Sequence, residues 1–147
     1  MNPNAVSSYT ILNFALECMK RGAKVSSPLG TDCPYNLIVD VQGKLYRVLV
    51  KASSEIKASG RYQVNTWKRV ASVGSEANLT SKAVPFDQDD FDLIVGAFYG
   101  HWCFLTDLPS LPATMSFHPH NSEIGIKHRD SLDNWAAIGL PSSPVGG

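Results

Sequence analysis

The stretch that most constrains the fold runs Leu37-Ile38-Val39-Asp40-Val41-Gln42-Gly43-Lys44-Leu45-Tyr46-Arg47-Val48-Leu49-Val50-Lys51. Two apolar, β-branched runs flank a Gln-Gly pair, which is the pattern of strand, tight turn, strand. Side chains alternate faces along a strand, so Leu37, Val39 and Val41 share one face with Tyr46, Val48 and Val50 across the turn. That face is core. Asn36, Ile38 and Asp40 fall on the other face of the first strand, and Leu45, Arg47, Leu49 and Lys51 on one face of the second. A lysine at the end of such a run loses solvation unless its charge is used nearby.

The rest of the chain supplies what the hairpin needs to pack against. Ser7 or Ser8 can cap a helix beginning near Tyr9. Ile11, Phe14, Ala15 and Cys18, with Leu12 and Met19 beside them, form a wide apolar stripe at helical spacing. Lys20 and Arg21 complement the helix dipole, and Gly22 ends the helix. A short strand over residues 23–26 follows, then a Pro/Gly loop before the hairpin. Beyond the hairpin, residues 52–60 read as a polar connection and 61–69 as a third strand of the sheet. Residues 70–82 read as a loop, 92–99 and 101–105 as strands, and 114–117 as a further short strand. Residues 131–138 form a short C-terminal helix capped by Ser131, and 141–147 fray. This order describes an α/β domain: a mixed central sheet with flanking helices, the first helix covering one face.

With 147 residues, 44% of them hydrophobic and 18% charged, the chain suits a single domain with a substantial core. Its formal net charge of zero gives no global pull toward nucleic acid, so phosphate binding requires a local patch. No apolar run approaches the ~20 residues of a membrane span, and no secretion signal is expected. Cys18, Cys33 and Cys103 are too scattered for a zinc or disulfide pattern, which makes a reducing cytoplasm the expected location. His101, His118, His120 and His128 lack the ligand spacing of a metal site. The acidic run Asp87 to Asp92 lacks the glycine and terminal glutamate of a calcium loop and reads as a solvated turn before a strand.

The order of short motifs carries a resemblance. Gly22-Ala23-Lys24-Val25-Ser26, Pro28-Leu29-Gly30, Pro34-Tyr35-Asn36-Leu37-Ile38-Val39-Asp40 and Tyr46-Arg47-Val48-Leu49-Val50-Lys51 together resemble the PD-(D/E)XK nuclease superfamily. The likeness is to its small branch of homing endonucleases encoded in bacterial group I introns. It continues through Tyr62-Gln63-Val64-Asn65-Thr66, Phe91-Asp92-Leu93-Ile94-Val95 and Trp102-Cys103-Phe104-Leu105, and covers residues 7–117, with 118–147 as an extension. The resemblance implies a restriction-endonuclease-like core, double-stranded DNA as partner, Mg²⁺ as ancestral cofactor and a homo-oligomer that spans a long site. Such an enzyme hydrolyses phosphodiester bonds with a carboxylate-held metal as Lewis acid and a nearby lysine supplying positive charge.

Four catalytic positions are implied: a glutamate on the helix, an aspartate opening the hairpin, a Glu or Gln two before the lysine, and the lysine. Lys51 fits. Asn36 stands at the aspartate position, Leu49 at the Glu/Gln position and Ile11 at the helix position. Asp40 shares the face of Asn36 but lies four residues on, about 13 Å at strand rise, too far to substitute. Mg²⁺ wants oxygen ligands, which Leu49 and Ile11 lack. No metal ligand is therefore assigned, and cleavage is expected to be lost or impaired.

DNA contact is expected from Lys44, Arg47, Lys57, Arg61, Gln63, Asn65, Lys68 and Arg69. A polar strand bearing Arg, Gln, Asn and Lys suits a major groove, where Arg reads guanine and Asn or Gln reads adenine. The alternative is a non-catalytic RNA-binding or structural component built on a decayed nuclease fold.

Overall fold

The computed structural model describes residues 2–30, 32–56, 61–71, 81–98, 100–117 and 130–146. Helix α1 spans Pro3–Lys20, beginning well before the expected Ser7 or Ser8. Asn2 is its cap: the side-chain Oδ1 accepts the Ala5 N–H at 2.8 Å, and Pro3 occupies the first turn. An Asn-Pro pair satisfies one orphan donor and removes another, so the two serines lie inside the helix. At the other end Gly22 adopts φ +92°, and the N–H groups of Gly22 and Ala23 donate back to Met19 and Cys18, a Schellman closure.

The strands are β1 (Lys24–Ser26), β2 (Leu37–Val41), β3 (Lys44–Ala52), β4 (Ser54–Ile56), β5 (Arg61–Asn65), β6 (Lys68–Ala71), β7 (Ser81–Val84), β8 (Leu93–Phe98), β9 (His101–Leu105) and β10 (Thr114–Phe117). A five-stranded sheet has the order β1-β2-β3-β8-β9, antiparallel except for the β3–β8 pair. The hairpin forms as its alternation requires, with Asp40 opposite Leu45 and Leu37 opposite Val48. Gln42 and Gly43 both take positive φ, 53° and 90°, the conformation that matches the twist of a two-residue hairpin. Asp40 Oδ1 accepts the Gly43 N–H at 2.8 Å. A parallel pair needs a crossover, and the chain between β3 and β8 builds β4 to β7 on the way.

The two sheet faces bury different clusters. Leu37, Val39, Val48 and Val50 pack with Phe14, Cys18, Trp102, Phe104 and Trp135 under α1. Ile94, Phe98, Cys103 and Leu105 pack on the other side with Val64, Phe91 and Met115. Val64 and Met115 come from a three-stranded sheet of order β10-β5-β4, in which they are paired in register.

Several expectations are corrected here. Residues 61–69 are not one strand of the central sheet: β5 ends at Asn65, β6 starts at Lys68, and β5 belongs to the second sheet. The break has a cause in long-range hydrogen bonds. The Thr66 hydroxyl donates to Pro112 O, the Thr66 N–H to Ala113 O at 3.0 Å and Trp67 Nε1 to Leu111 O at 3.0 Å. The expected loop over 70–82 begins and ends as strand, because β6 and β7 pair antiparallel. Within the expected connection 52–60, Ser54–Ile56 is strand β4. The C-terminal helix shrinks to a 3-10 turn at Trp135–Ile138, because Asp133 adopts φ +51° and spends its carboxylate on Trp102 N–H (2.9 Å) and His101 Nδ1 (2.6 Å). The tail does not fray through Val145, whose N–H donates to Lys20 O at 2.9 Å, while Arg21 donates to Ser142 O at 3.0 Å. Leu12 and Met19 lie outside the core stripe, 69% and 50% exposed. Among the described residues no helix is long and apolar enough to cross a membrane.

Candidate active site and nucleic-acid interface

Lys51 lies near the end of β3, paired in register with Gly96 of β8. It is half-buried, and burial pushes its ammonium below the ordinary lysine value. Its Nζ sits 5.7 Å from the centre of the Phe86 ring, and that ring meets Phe91 edge-on. Among the described residues no carboxylate pairs with it.

Asn36 stands just before β2 on the same side of the sheet. Its N–H donates to Val48 O at 2.9 Å, and its Oδ1 accepts the Val50 N–H at 2.7 Å. The side chain thus lengthens the β2–β3 ladder, satisfying a donor that lies past the end of the paired strand. Leu49, between the two bonded residues, packs against the second cluster with Tyr35, Tyr62 and Phe86. Ile11 is half-buried against the first cluster, on the α1 side of the sheet. The fold therefore brings Asn36, Leu49 and Lys51 to one hairpin end and one face, and packs Ile11 on the other.

A Mg²⁺ shell is built from hard oxygen donors, including at least one carboxylate. Here the Asn36 oxygen already accepts a backbone N–H, and Leu49 has no donor atom. Asp40 is occupied at the turn. Among the described residues no group of three or more His, Cys, Asp or Glu side chains converges. The described residues at this hairpin end do not fit Mg²⁺.

The expected DNA-contacting residues separate into three places. Lys44 and Arg47 are on β3, Arg61, Gln63 and Asn65 on β5, and Lys68 and Arg69 on β6; Lys57 lies outside the described residues. Arg47 is committed within the protein. Its guanidinium meets Asp92 at 3.3 Å and donates to Asp89 O at 2.7 Å, while its backbone N–H donates to Asp92 Oδ2 at 2.7 Å. Burial pushes the Asp92 carboxyl up, but the Arg47 N–H, the guanidinium and Lys44 together outweigh it and hold the group below the usual carboxylate range. The acidic run is indeed a turn: Asp89 N–H donates to Asp87 Oδ1 at 2.9 Å, and Asp90 N–H to Asp87 O at 3.1 Å.

On β5, Val64 is buried while Asn65 is exposed and Gln63 half-exposed. Gln63 pairs with Ser116 of β10 and Asn65 with Thr114, while Met115 between them is buried with Val64. Directly paired residues share a face, so Gln63, Asn65, Thr114 and Ser116 form one polar surface. Thr114 and Ser116 escape a reading of the sequence one strand at a time. The signal for them is the Thr-Met-Ser alternation, which becomes informative once β10 is paired with β5. Of the histidines, His101 bonds Asp133, while His118, His120 and His128 lie outside the described residues.

The PD-(D/E)XK endonuclease family matches this chain over residues 1–130. The chain belongs to that family. Among solved structures it is similar to a bacterial homing endonuclease, I-Ssp6803I, with a TM-score of 0.78 and 22% identity over 94% of this chain and 93% of that one. At that identity the likeness is one of fold, a restriction-endonuclease-like α/β core. No curated protein matches the chain in sequence.

Proposed function

We propose that this protein binds double-stranded DNA in the manner of a homing endonuclease, through a centre whose cleavage chemistry is lost or impaired. The observation that carries the reading is the Val50 N–H on Asn36 Oδ1, at 2.7 Å, with Leu49 beside it and Lys51 left without a carboxylate among the described residues. A metal-dependent nuclease would need acids where this chain spends an amide on its backbone and a leucine on its core. Mg²⁺ is the family's ancestral cofactor and is bound weakly or not at all here. The DNA surface comprises Gln63 and Asn65, to which we add Thr114 and Ser116, with phosphate contacts from Lys44, Lys68 and the remaining basic residues. Arg47 serves the fold through Asp92. Binding outlives cleavage because the groups that contact DNA are separate from those that would hold metal. The gene's setting in an intron and assembly into a homo-oligomer complete the reading.

The test restores the acids. Asn36→Asp with Leu49→Gln, with and without Ile11→Glu, is assayed for Mg²⁺-dependent nicking of bound duplex. Nicking gained by either variant is the expected result. A folded variant set that binds duplex and never nicks would count against the assignment of Asn36, Leu49 and Lys51. Strong preference for folded RNA over duplex would favour the non-catalytic RNA-binding alternative.

A further inference from the structure

Three successive carbonyls, those of Leu111, Pro112 and Ala113, are served by two residues. Trp67 Nε1 donates to Leu111 O at 3.0 Å, the Thr66 hydroxyl to Pro112 O, and the Thr66 N–H to Ala113 O at 3.0 Å. The last of these carries the β5–β10 ladder one rung beyond the Asn65–Thr114 pair. The backbone can go no further, because Pro112 has no N–H. A hydroxyl and an indole take over where the backbone stops. Thr66 is only 1% exposed, so its hydroxyl and the carbonyl it serves depend on each other. The clamped segment is anchored on its other side by Leu108 and Leu111, which pack against the second core cluster.

What the clamp fixes is register. The pairing of β5 with β10 comprises four rungs, Tyr62–Phe117, Gln63–Ser116, Val64–Met115 and Asn65–Thr114. A slip of one residue would turn Val64 and Met115 outward, and their burial excludes it. A slip of two residues keeps every side chain on its own face. Gln63 would then oppose Thr114, Val64 would oppose Ala113 and Asn65 would oppose Pro112. Alternation does not distinguish the two registers. The bonds of Thr66 and Trp67 do, since the slip carries all three donors about 7 Å from their acceptors.

Register decides what the polar surface presents. Rungs alternate in an antiparallel ladder. With Thr66 bonded to Ala113, the Asn65–Thr114 and Gln63–Ser116 pairs fall on non-hydrogen-bonded rungs, where facing side chains stand closest. Each rung sets an amide beside a hydroxyl. The two rungs lie about 7 Å apart along the strand, two base steps of a duplex. A slipped sheet would keep the same charge and polarity and change which groups stand together.

We propose that Thr66 and Trp67 are positioning residues for sequence recognition. Their clamp on residues 111–113 holds β10 in the register that sets the Gln63 and Asn65 amides beside the Ser116 and Thr114 hydroxyls. The proposal rests on the DNA-binding reading above and adds to it the residues that set specificity. Phosphate contacts from β3 and β6 lie outside the β5–β10 pair, so general affinity for duplex is separable from choice of sequence.

The test compares the full chain with Thr66→Val, Trp67→Phe, the double variant and Thr66→Ser. Thr66→Val keeps shape and backbone N–H and removes the hydroxyl, and Trp67→Phe keeps an aromatic ring and removes the donor. Each is titrated with duplex from the gene's own genomic neighbourhood and with random duplex, across a salt series. In the double variant the ratio of the two affinities is expected to fall about tenfold or more. Random-duplex affinity and its salt slope stay unchanged, and Thr66→Ser keeps the parent's ratio. Trp67→Phe alone, at a partly exposed ring, moves the ratio in the same direction and serves where the double variant fails to fold.

A second measurement needs no DNA. In a Cys33→Ser background, Gln63→Cys/Ser116→Cys reports the native rung and Gln63→Cys/Thr114→Cys the slipped one, by rate of disulfide formation. Adding the clamp substitutions is expected to shift the ratio of rates toward the slipped pair by about fivefold or more. An unchanged affinity ratio, an equal loss on both duplexes, or a Thr66→Ser variant that behaves like Thr66→Val would overturn the proposal. So would cross-linking rates that the clamp substitutions leave unaltered. A parent chain that prefers no duplex would count against the DNA reading, and the cross-linking rates would still decide whether the two residues set the register.

Discussion

The two faces of the central sheet are finished differently. Under α1, Phe14 stacks on Trp135 with ring centres 5.7 Å apart and 9° between planes, and it meets Trp102 at 5.2 Å and Phe104 at 6.1 Å. The C-terminal segment closes this side through Trp135, Ile138 and Leu140. The opposite face has its own buried cluster, but polar and charged groups intrude at its edge. Lys51 is half-desolvated there, Asn36 spends its side chain on the backbone, and Gly96 leaves room for its neighbours. Under the proposed function, the second face is the one that meets the ligand.

The largest effect that would break this contrast is expected under α1. Phe14→Ala empties the centre of the aromatic cluster and should cost about 3–5 kcal/mol in urea unfolding. A cost below about 1 kcal/mol would mean that the side chains around it collapse to fill the space. On the other face, a Cβ at Gly96 would sit 3.0 Å from Phe98 Cε2 and 3.4 Å from Val64 Cγ2. Both neighbours are buried and have little room to yield, so Gly96→Ala should destabilise by about 1–3 kcal/mol, by the same measurement. Asn36→Ala leaves the Val50 N–H without its acceptor and should cost about 1 kcal/mol, whereas Asn36→Asp keeps the acceptor and should cost less. Equal losses in the two variants would show that the hydrogen bond is not what holds the residue.

The smallest effect concerns pH. The Asp92 carboxyl is held below its ordinary value in the folded chain, so it contributes stability above the unfolded value of about 4. That contribution is lost as pH falls through the lower folded value. Because the Arg47–Asp92 pair is well exposed, its share is small. Asp92→Asn should therefore lower the melting temperature slightly at pH 7 and narrow its gap to the parent on acidification. A gap that widens toward acid would reverse the sign of the linkage.

Much of this was legible in the sequence, for reasons that can be named. The hairpin writes its own pairing into a period of two, with a turn whose second residue, Gly43, takes positive φ without strain. The family could be recognised because the order of strands around Lys51 survives, although three of the four positions that the resemblance implies as catalytic carry other residues. What could not be read depends on partners distant in the chain. The end of β5 is decided by Thr66 and Trp67 bonding to residues 111–113. The fate of Arg47 is decided by Asp92, 45 residues away. Helix α1 hides its inner side because apolar residues occupy both sides, so Leu12 and Met19 are indistinguishable from core until the sheet is in place. Thr114 and Ser116 join the polar surface only through the pairing of β10 with β5.

The most direct test of a DNA reader with a substituted centre is binding of the purified, unaltered chain to duplex DNA from its own genomic neighbourhood. Random duplex and structured RNA serve as competitors, across a salt series with and without Mg²⁺. The predicted result is preferential binding of that duplex that weakens steeply with salt, leaving the DNA intact when Mg²⁺ is present. Efficient Mg²⁺-dependent cleavage by the unaltered chain, or indifference to every nucleic acid offered, would contradict it.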